Sequence, residues 1–221
     1  MSVQALKIGT RKSVMALAQT EGIARLLRAA DPALDVEIVK FETRGDQDQT
    51  SKLLRHGGKG GAFVAEIREA MRAASVDRAL CICTTLDDFE RVHALALAHD
   101  GFWCSAGVHP DEEDSREPTV EGLVDLTHLD KVVAIGETGL DYYRLKEPLD
   151  WQRDRFRTHI RAARACGKPL IIHTRAAAED TLRLMAEEGA DAVGGVMHCF
   201  TETAEVARSA LDMGFHISFS G

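Results

Sequence analysis

KVVAIGETGLDYY, residues 131–143, runs from an apolar stretch directly into Glu137 and Asp141. Three other short strings end apolar stretches in the same way: GVHP at 107–110, LIIHTR at 170–175 and GVMHCF at 195–200. A helical stretch separates each string from the next, so the pattern predicts a repeated strand–helix unit with a polar group at each strand's carboxyl end. Such groups converge on one rim if parallel strands close, or nearly close, into a barrel, and barrel enzymes do their chemistry at that rim.

Three of these strand ends carry side chains of the kind that bind divalent metals. Glu137, His173 and His198 are separated by 36 and 25 residues, close to one strand–helix unit each. They would stand on three consecutive strands and face a common centre. One carboxylate with two imidazoles is a normal ligand set for a divalent metal. For each histidine taken singly, the alternative is a hydrogen-bonded core or rim residue.

The apolar periodicity predicts eight strands and seven helices in alternation. The strands are expected at 6–10, 36–42, 79–85, 102–108, 131–137, 169–174, 194–199 and 215–219. The helices are expected at about 14–30, 62–74, 86–98, 119–128, 150–166, 177–188 and 202–213. One long polar loop is expected at 43–61.

From about Ala73 to Gly221 the chain resembles the TatD family of metal-dependent hydrolases, which are DNases in the amidohydrolase-like group of barrels. The strings that carry the resemblance, in the family's order and spacing, are GVHP, VAIGETGLDYYR, PLIIHTR, GGVMHCF and GFHISFSG. The resemblance implies an α/β TIM-type barrel, DNA or another phosphodiester as substrate, and a divalent metal such as Zn²⁺, Mn²⁺ or Mg²⁺. It also implies Glu137 as a carboxylate shared between two metals, with His173 and His198 as ligands of one of them.

Other side chains are expected around that site. By the same resemblance Arg175 and Asp141 look like its neighbours, since a cation can hold a phosphate and a carboxylate can orient a ligand. A salt bridge at the rim is the alternative for this pair. His109, at a strand end, is expected either at the mouth of the site or in a packing role. The remaining histidines, His159 among them, are expected in surface or packing roles.

Two elements of the family are missing from these 221 residues. No H-x-H pair occurs anywhere, and the sequence stops at Gly221, before the late aspartate of the family pattern. In the family these elements supply most of the second metal's ligands. We therefore expect one metal rather than two, and low or no activity, because two-metal hydrolysis generally uses a water bridged between the ions. Glu42, at the end of the second strand, is the candidate to replace a missing ligand.

The first third of the chain carries a different resemblance. The strings LKIGTRKSVMALAQTEGIARLL at 6–27, VEIVKFETRGD at 36–46 and GGKGGAFVAEIREAM at 57–71 are similar to the amino-terminal segment of hydroxymethylbilane synthase, also called porphobilinogen deaminase. By that resemblance Arg11, Ser13 and Lys59 would touch a carboxylated pyrrole cofactor or substrate. The catalytic aspartate and the cofactor-attaching cysteine of that family lie beyond the point of departure, so no dipyrromethane and no deaminase chemistry are expected.

The two resemblances meet near residues 70–74, which predicts a βαβα segment at 1–72 and a hydrolase barrel segment at 73–221. The net charge changes at the same place, from +3 for residues 1–72 to −11 for the remainder. Three hypotheses stay open: a TatD-like hydrolase with impaired activity, a hydroxymethylbilane synthase fragment, and a non-catalytic chimera.

The hydrolase segment lacks the first and last strands of its family's barrel, so the barrel is either incomplete or rebuilt. In a rebuilt barrel VEIVKF replaces the lost first strand and LKIGT closes against HISFS near the end of the chain. The alternative is two abutting pieces with an open sheet, whose edges are an aggregation hazard.

Composition excludes several classes of protein. A hydrophobic content of 45% in 221 residues provides enough core for one large α/β domain or two small ones. No run reaches the roughly 18 apolar residues of a membrane span, and the amino terminus lacks a signal-peptide core. The sequence therefore predicts a cytoplasmic protein without a membrane partner. Five scattered cysteines without a C-x-x-C pair are expected to be reduced thiols. The oligomeric state does not follow from the sequence.

Overall fold

A computed structural model describes residues 6–11, 14–41, 69, 71, 73, 75–143 and 149–219. The chain forms two compact units, residues 1–77 with 220–221, and residues 78–219. In the first unit β1 (Leu6–Arg11) and β2 (Val36–Phe41) pair in parallel, with Leu6 opposite Val36. Helix α1 (Val14–Ala30) connects them, which is the strand–helix–strand crossover that parallel pairing requires.

The second unit contains six parallel strands that neighbour one another in chain order. The strands are β3 (Ala79–Cys81), β4 (Phe102–Ala106), β5 (Val132–Asp141), β6 (Leu170–Arg175), β7 (Gly195–Met197) and β8 (Phe215–Ile217). The helices are α2 (Phe89–Leu97), α3 (Val120–Thr127), α4 (Asp150–Cys166), α5 (Ala178–Glu187) and α6 (Ala204–Asp212), and a single 3₁₀ turn spans Ala190–Ala192. This order of strands and helices is that of an incomplete α/β barrel.

Local sequence sets where these helices begin and end. Thr119 and Thr203 precede α3 and α6, and each side-chain oxygen accepts a hydrogen bond from a backbone N–H of the first turn. Helix α4 ends at Gly167, which takes the left-handed conformation at φ 66° and donates its N–H to the carbonyl of Ala163.

The main core lies between β5 to β8 and the helices that pack on them. Its fully buried members include Ile135, Leu140, Phe156, Ile160, Leu170, Ile172, Leu184, Met197 and Phe215. The amino-terminal parts of β5 and β6, VVAI and LII, are continuous apolar runs, as expected of parallel strands covered on both faces. Each such side chain contributes about 1.5–3 kcal/mol through burial. The polar residues of these strands are concentrated toward their carboxyl ends, so the core leaves one rim for chemistry.

The structure confirms the predicted α/β class and the incomplete barrel. All eight strands occur at the expected places, as do the six helices expected outside 62–74. Most of the helix predicted at 62–74, and the loop predicted at 43–61, lie outside the described residues. The boundary predicted at residue 72 stays a prediction.

The rebuilt barrel is not the arrangement that the described strands adopt. Strands β1 and β2 form a two-stranded sheet, and the six-stranded sheet has β3 and β8 as its outer strands. The crossover through α1 brings β1 and β2 side by side, so the facing backbone groups of the two strands pair within one short stretch of chain. Among the described residues, no helix has both the length and the apolarity that crossing a bilayer demands.

Candidate metal centre

Four side chains meet at the carboxyl-terminal rim of the six-stranded sheet. His109 follows β4, Glu137 lies on β5, His173 lies on β6, and His198 follows β7. One ligand atom from each of His109, Glu137 and His173 lies within 4.8 Å of the other two. Four consecutive parallel strands thus deliver one carboxylate and three imidazoles to one place.

The buried carboxylate oxygen Oε1 of Glu137 is the common point of these contacts. It lies 3.0 Å from Nδ1 of His198, 3.4 Å from Nδ1 of His173 and 3.8 Å from Nε2 of His109. The rings of His109 and His173 meet edge to face, with their centroids 4.4 Å apart. Glu137 is only 7% exposed, so the contacts form in a region with little screening by water.

The imidazoles of His173 and His109 each contact a second carboxylate through the ring nitrogen that does not face Glu137. Nε2 of His173 lies 3.1 Å from Oδ2 of the buried Asp141, and Nδ1 of His109 contacts Oδ1 of Asp111. A hydrogen bond from one ring nitrogen to a carboxylate fixes the tautomer and leaves the other nitrogen as a ligand. In both rings that other nitrogen faces Glu137, which is the arrangement of metal-binding histidines.

The electrostatics of the centre favour a cation beside Glu137. Burial raises the pKa of Glu137, but hydrogen bonds from His173 and His198, with the charges of His198 and His109, outweigh burial and lower that pKa to about 2. Burial lowers the pKa of His173, yet Glu137 and Asp141 raise it overall. The hydrogen bond to Glu137 raises the pKa of His198. A divalent metal supplies the same positive charge while the imidazoles are neutral.

Two glycines let β5 approach β6 closely enough to form the centre. At Gly139, where φ is +140°, an added Cβ would overlap the carbonyl oxygen of His173. At Gly136, where φ is +136°, it would lie 2.5 Å from the carbonyl oxygen of Ile171. Only glycine combines these dihedrals with this approach. The sequence near Glu137 is therefore set by the backbone of the neighbouring strand as well as by chemistry.

Helix α4 holds the loop that carries His109 through the buried side chain of Arg155. Its Nη1 donates to the carbonyl oxygens of His109, at 3.1 Å, and Glu112, at 2.9 Å. Its Nε and Nη2 donate to the carboxylate of Glu117. The guanidinium also lies over the ring of Trp151, 4.6 Å from its centroid. One cation therefore joins three points of the loop to the helix.

His159, one turn further along α4, holds the same loop by a second route. Its Nδ1 lies 2.8 Å from the carbonyl oxygen of Arg155, and its Nε2 accepts the backbone N–H of Val108 at 3.0 Å. The ring is fully buried, and its packing role agrees with the prediction. Arg155 was not among the predicted site residues. Two polar residues four apart on the apolar face of α4 were the available signal.

Arg175 lies at the rim, two residues beyond His173 on β6, so the two side chains point to the same face of the strand. Its guanidinium carbon is 3.9 Å from the centroid of the Tyr143 ring. The backbone N–H of Tyr143 donates to Oδ1 of Asp141 at 2.9 Å. Asp141 therefore contacts His173 with one oxygen and Tyr143 with the other.

The structure thus brings together Glu137, His173, His198, Asp141 and His109, and it places Arg175 beside them at the rim. The backbone of Arg11 lies in β1, but its side chain is not among the described ones. Ser13, Lys59 and Glu42 lie outside the described residues.

Two protein-family models match the chain. The model for TatD related DNase matches residues 54–221, which is more than half of the chain and includes all four side chains of the candidate centre. The model for porphobilinogen deaminase, dipyromethane cofactor binding domain, matches residues 6–94. The two matches overlap at residues 54–94.

Curated relatives and solved structures agree with the first match. The chain is 41% identical over 157 residues to the uncharacterized metal-dependent hydrolase YabD of Bacillus subtilis (strain 168), a match covering 71% of this chain and 62% of that protein. It is 34% identical over 158 residues to the 3′-5′ ssDNA/RNA exonuclease TatD of Rahnella sp. (strain Y9602), covering 71% and 60%. The chain therefore spans less than two thirds of either relative.

A crystal structure of YJJV, a TatD homolog from Escherichia coli K12, superimposes with a TM-score of 0.63 at 23% identity. The match covers 71% of this chain and 62% of that one. This likeness supports the fold alone.

Proposed function

The chain belongs to the TatD related DNase family, and on that premise we propose that it hydrolyses phosphodiesters with the help of a divalent metal. Glu137, His173 and His198 are the proposed ligands, and His109 is a further one. The observation that carries the proposal is that His109 and His173 each contact two carboxylates, one through each ring nitrogen. Each has one ring nitrogen on a carboxylate and the other facing Glu137.

The donor set fits the expected metals. A carboxylate with imidazoles suits Zn²⁺ and Mn²⁺, and the curated relative from Bacillus subtilis is named a metal-dependent hydrolase. A bound divalent metal supplies Lewis-acid activation of a water and of a phosphoryl oxygen. Asp141 and Asp111 keep the rings of His173 and His109 in the ligating tautomer.

The substrate that we propose is the phosphodiester of a nucleic acid. The Rahnella relative is named a 3′-5′ ssDNA/RNA exonuclease, which supports this class of substrate. Arg175 contributes a guanidinium on the same face of β6 as His173, where it can pair with phosphate oxygens. Its roles in this proposal are to bind and orient the substrate, while the proton and water chemistry belongs to the centre around Glu137.

We also propose that this chain holds one metal and turns over slowly. No H-x-H pair occurs in the 221 residues, so a second ion lacks the imidazole pair of the family pattern. Without a second ion, the water bridged between two metals is lost, and with it several kcal/mol of transition-state stabilisation. Nuclease activity of the chain is therefore expected near background.

Metal uptake tests the centre. After incubation with Zn²⁺ or Mn²⁺ and gel filtration, elemental analysis is expected to find at most one ion per chain, and none in His173→Ala. His216→Ala is the matched control, because His216 is an exposed histidine of β8 outside the centre. Equal metal content in the wild type and His173→Ala contradicts the proposed ligand set.

Cleavage of a 5′-labelled single-stranded oligonucleotide tests the rate. In the presence of Mg²⁺ or Mn²⁺, we expect the chain to cleave the oligonucleotide about as slowly as buffer without protein. Rapid shortening from the 3′ end that disappears in Glu137→Gln would keep the hydrolase proposal but reject the proposed impairment, because another group would then replace the missing ligands. Glu42 is the first residue to substitute in that case.

We further infer that residues 1–72 derive from a second family, so that the chain is a chimera. The porphobilinogen deaminase model that matches residues 6–94 supports this inference. Deaminase activity is not part of the proposal, because the family's catalytic aspartate and its cofactor-attaching cysteine lie beyond the point, near residue 72, where the resemblance ends. Reading the DNA across codons 65–80 in an independent isolate tests the inference. If the independent isolate lacks the junction between the two segments, a natural fusion is contradicted.

A further inference from the structure

Tyr143 stands out among the large apolar side chains of the described residues because it is the most exposed, at 63%. It lies two residues beyond the end of β5, at the rim that carries the candidate centre. The guanidinium of Arg175 lies over its ring, 3.9 Å from the centroid. An aromatic ring left largely in water carries an unfavourable hydration free energy that packing within the described structure does not remove.

The backbone under this ring is fixed, although the ring is exposed. The N–H of Tyr143 donates to Asp141 at 2.9 Å. The N–H of the preceding Tyr142 donates to the carbonyl oxygen of Arg175 at 2.9 Å, and its hydroxyl donates to Oδ2 of Asp180 at 2.7 Å. These bonds define the position of the ring's attachment point. An exposed aromatic ring on a backbone fixed by hydrogen bonds is expected of a pre-organised binding surface for a planar group.

We propose that Tyr143 and Arg175 form a stacking platform for the base beside the scissile phosphodiester, so that the site takes the end of a single-stranded nucleic acid. This inference rests on the proposed function and adds the part of the substrate that the centre itself does not contact. Stacking on an aromatic ring accepts every base, because each has a π face, and it gives binding without sequence preference. Arg175 adds a cation for the adjoining phosphate and for the ring.

The position of the platform relative to the centre supports this assignment. Arg175 is two residues beyond His173 on the same face of β6, about 7 Å along the strand. Asp141 joins the two regions, because one of its oxygens contacts His173 and the other accepts the N–H of Tyr143. A phosphodiester held at the centre therefore places the neighbouring base near the ring. A base pair inside a duplex has no free face to offer, so the platform selects single strands or frayed ends.

Binding of a fluorescein-labelled oligothymidylate to the full chain, measured by anisotropy in Ca²⁺, tests the platform apart from turnover. Tyr143→Ala is expected to bind roughly 5- to 100-fold more weakly, the loss that follows removal of one base–aromatic stack. Tyr143→Phe keeps the ring and is expected to bind within about twofold of the wild type. Leu129→Ala is the matched control, because it removes another exposed apolar side chain, three residues before β5 begins and far from the rim.

A second probe carries an abasic nucleotide at its 3′ end. The wild type is expected to bind this strand about as weakly as Tyr143→Ala binds the intact one, and Tyr143→Ala is expected not to distinguish the two strands. Unchanged binding in Tyr143→Ala, or equal losses in Tyr143→Phe and Tyr143→Ala, overturns the platform. Absence of oligonucleotide binding by the wild type overturns it as well.

Metal uptake measured on the same proteins separates this failure from failure of the proposed function. Normal uptake by the wild type with no effect of Tyr143→Ala on binding rejects the platform and leaves the metal centre standing. No uptake by the wild type rejects the proposed function itself. The midpoint of thermal unfolding of Tyr143→Ala is expected to match that of the wild type, because a side chain as exposed as this one contributes little to the fold.

Discussion

His109 and His198 flank the same carboxylate oxygen of Glu137, yet the two are held in different ways. The side chain of His109 is 14% exposed, and its ring contacts Asp111 on the side away from Glu137. The side chain of His198 is 31% exposed, and its Nδ1 bonds to Glu137 itself. Asp111, which lies outside the ligand set, orients the imidazole of His109. Glu137, which is itself a proposed ligand, orients the imidazole of His198.

The main-chain surroundings extend this contrast. The loop of His109 is held by Arg155 and His159 of α4, and the N–H of His109 donates to the carbonyl oxygen of Thr84 at 2.8 Å. The N–H of His198 donates to the carbonyl oxygen of Ile172 at 2.7 Å, just beyond the short strand β7. A ligand set can thus be held in place before metal binding on one side only. Metal binding is therefore coupled to the stability of the fold through His109, whose loop is held by α4. It is not coupled in this way through His198.

The largest effect is expected from Arg155→Met. The substitution leaves the carbonyl oxygens of His109 and Glu112 without a charged donor, at a cost of about 3–5 kcal/mol in the free energy of unfolding. Urea titration measures this cost. Arg157→Met is the matched control on the same helix. Arg157 pairs with the exposed Asp154 and Glu187 and with the part-buried Glu188, and its loss should change stability by about 1 kcal/mol or less. Equal effects of the two substitutions would remove the special status of the His109 loop.

A pH titration of stability is expected to show a smaller effect, of about 3 kcal/mol. The pKa of His159 is lowered to about 4, chiefly by burial. The charge of Arg155 also lowers this pKa, whereas the hydrogen bond to the carbonyl oxygen of Arg155 and the charge of Glu117 raise it. The unfolded chain, with its ordinary histidine pKa near 6.5, therefore gains this proton first on acidification. The contribution is full above pH 6.5 and is lost as pH falls toward 4. His159→Gln should flatten this part of the curve of unfolding free energy against pH, and an unchanged slope would contradict the assignment.

The smallest effect on stability is expected from His198→Ala. Its ring is part-exposed and makes one hydrogen bond to Glu137, so the free energy of unfolding of the metal-free chain should change by about 1 kcal/mol or less. Zn²⁺ affinity, measured by competition with a chelating dye, should still fall by at least about tenfold. A loss of stability as large as that of Arg155→Met would show that the two sides of the centre are supported alike.

The two sides also differ in how far the sequence predicted them. Glu137, His173 and His198 could be placed because each ends an apolar run at the spacing of a strand–helix unit, and parallel strands share one rim. His109 was ambiguous, since one histidine after a strand is compatible with a site or with packing. Arg155 could not be assigned, because a helix as rich in charges as α4 shows its buried face only once its neighbours are in place.

Gly139 carries a consequence for how this sequence can drift. It has no side chain to bind a metal or a substrate, yet any side chain there would collide with the main chain of His173. Its codon is therefore expected to be among the least replaceable in the gene, and a saturation library screened for metal retention should recover almost only glycine at this position. Exposed residues of the helices can therefore change in descendants of this chain, whereas the metal centre requires a residue without a side chain at this position.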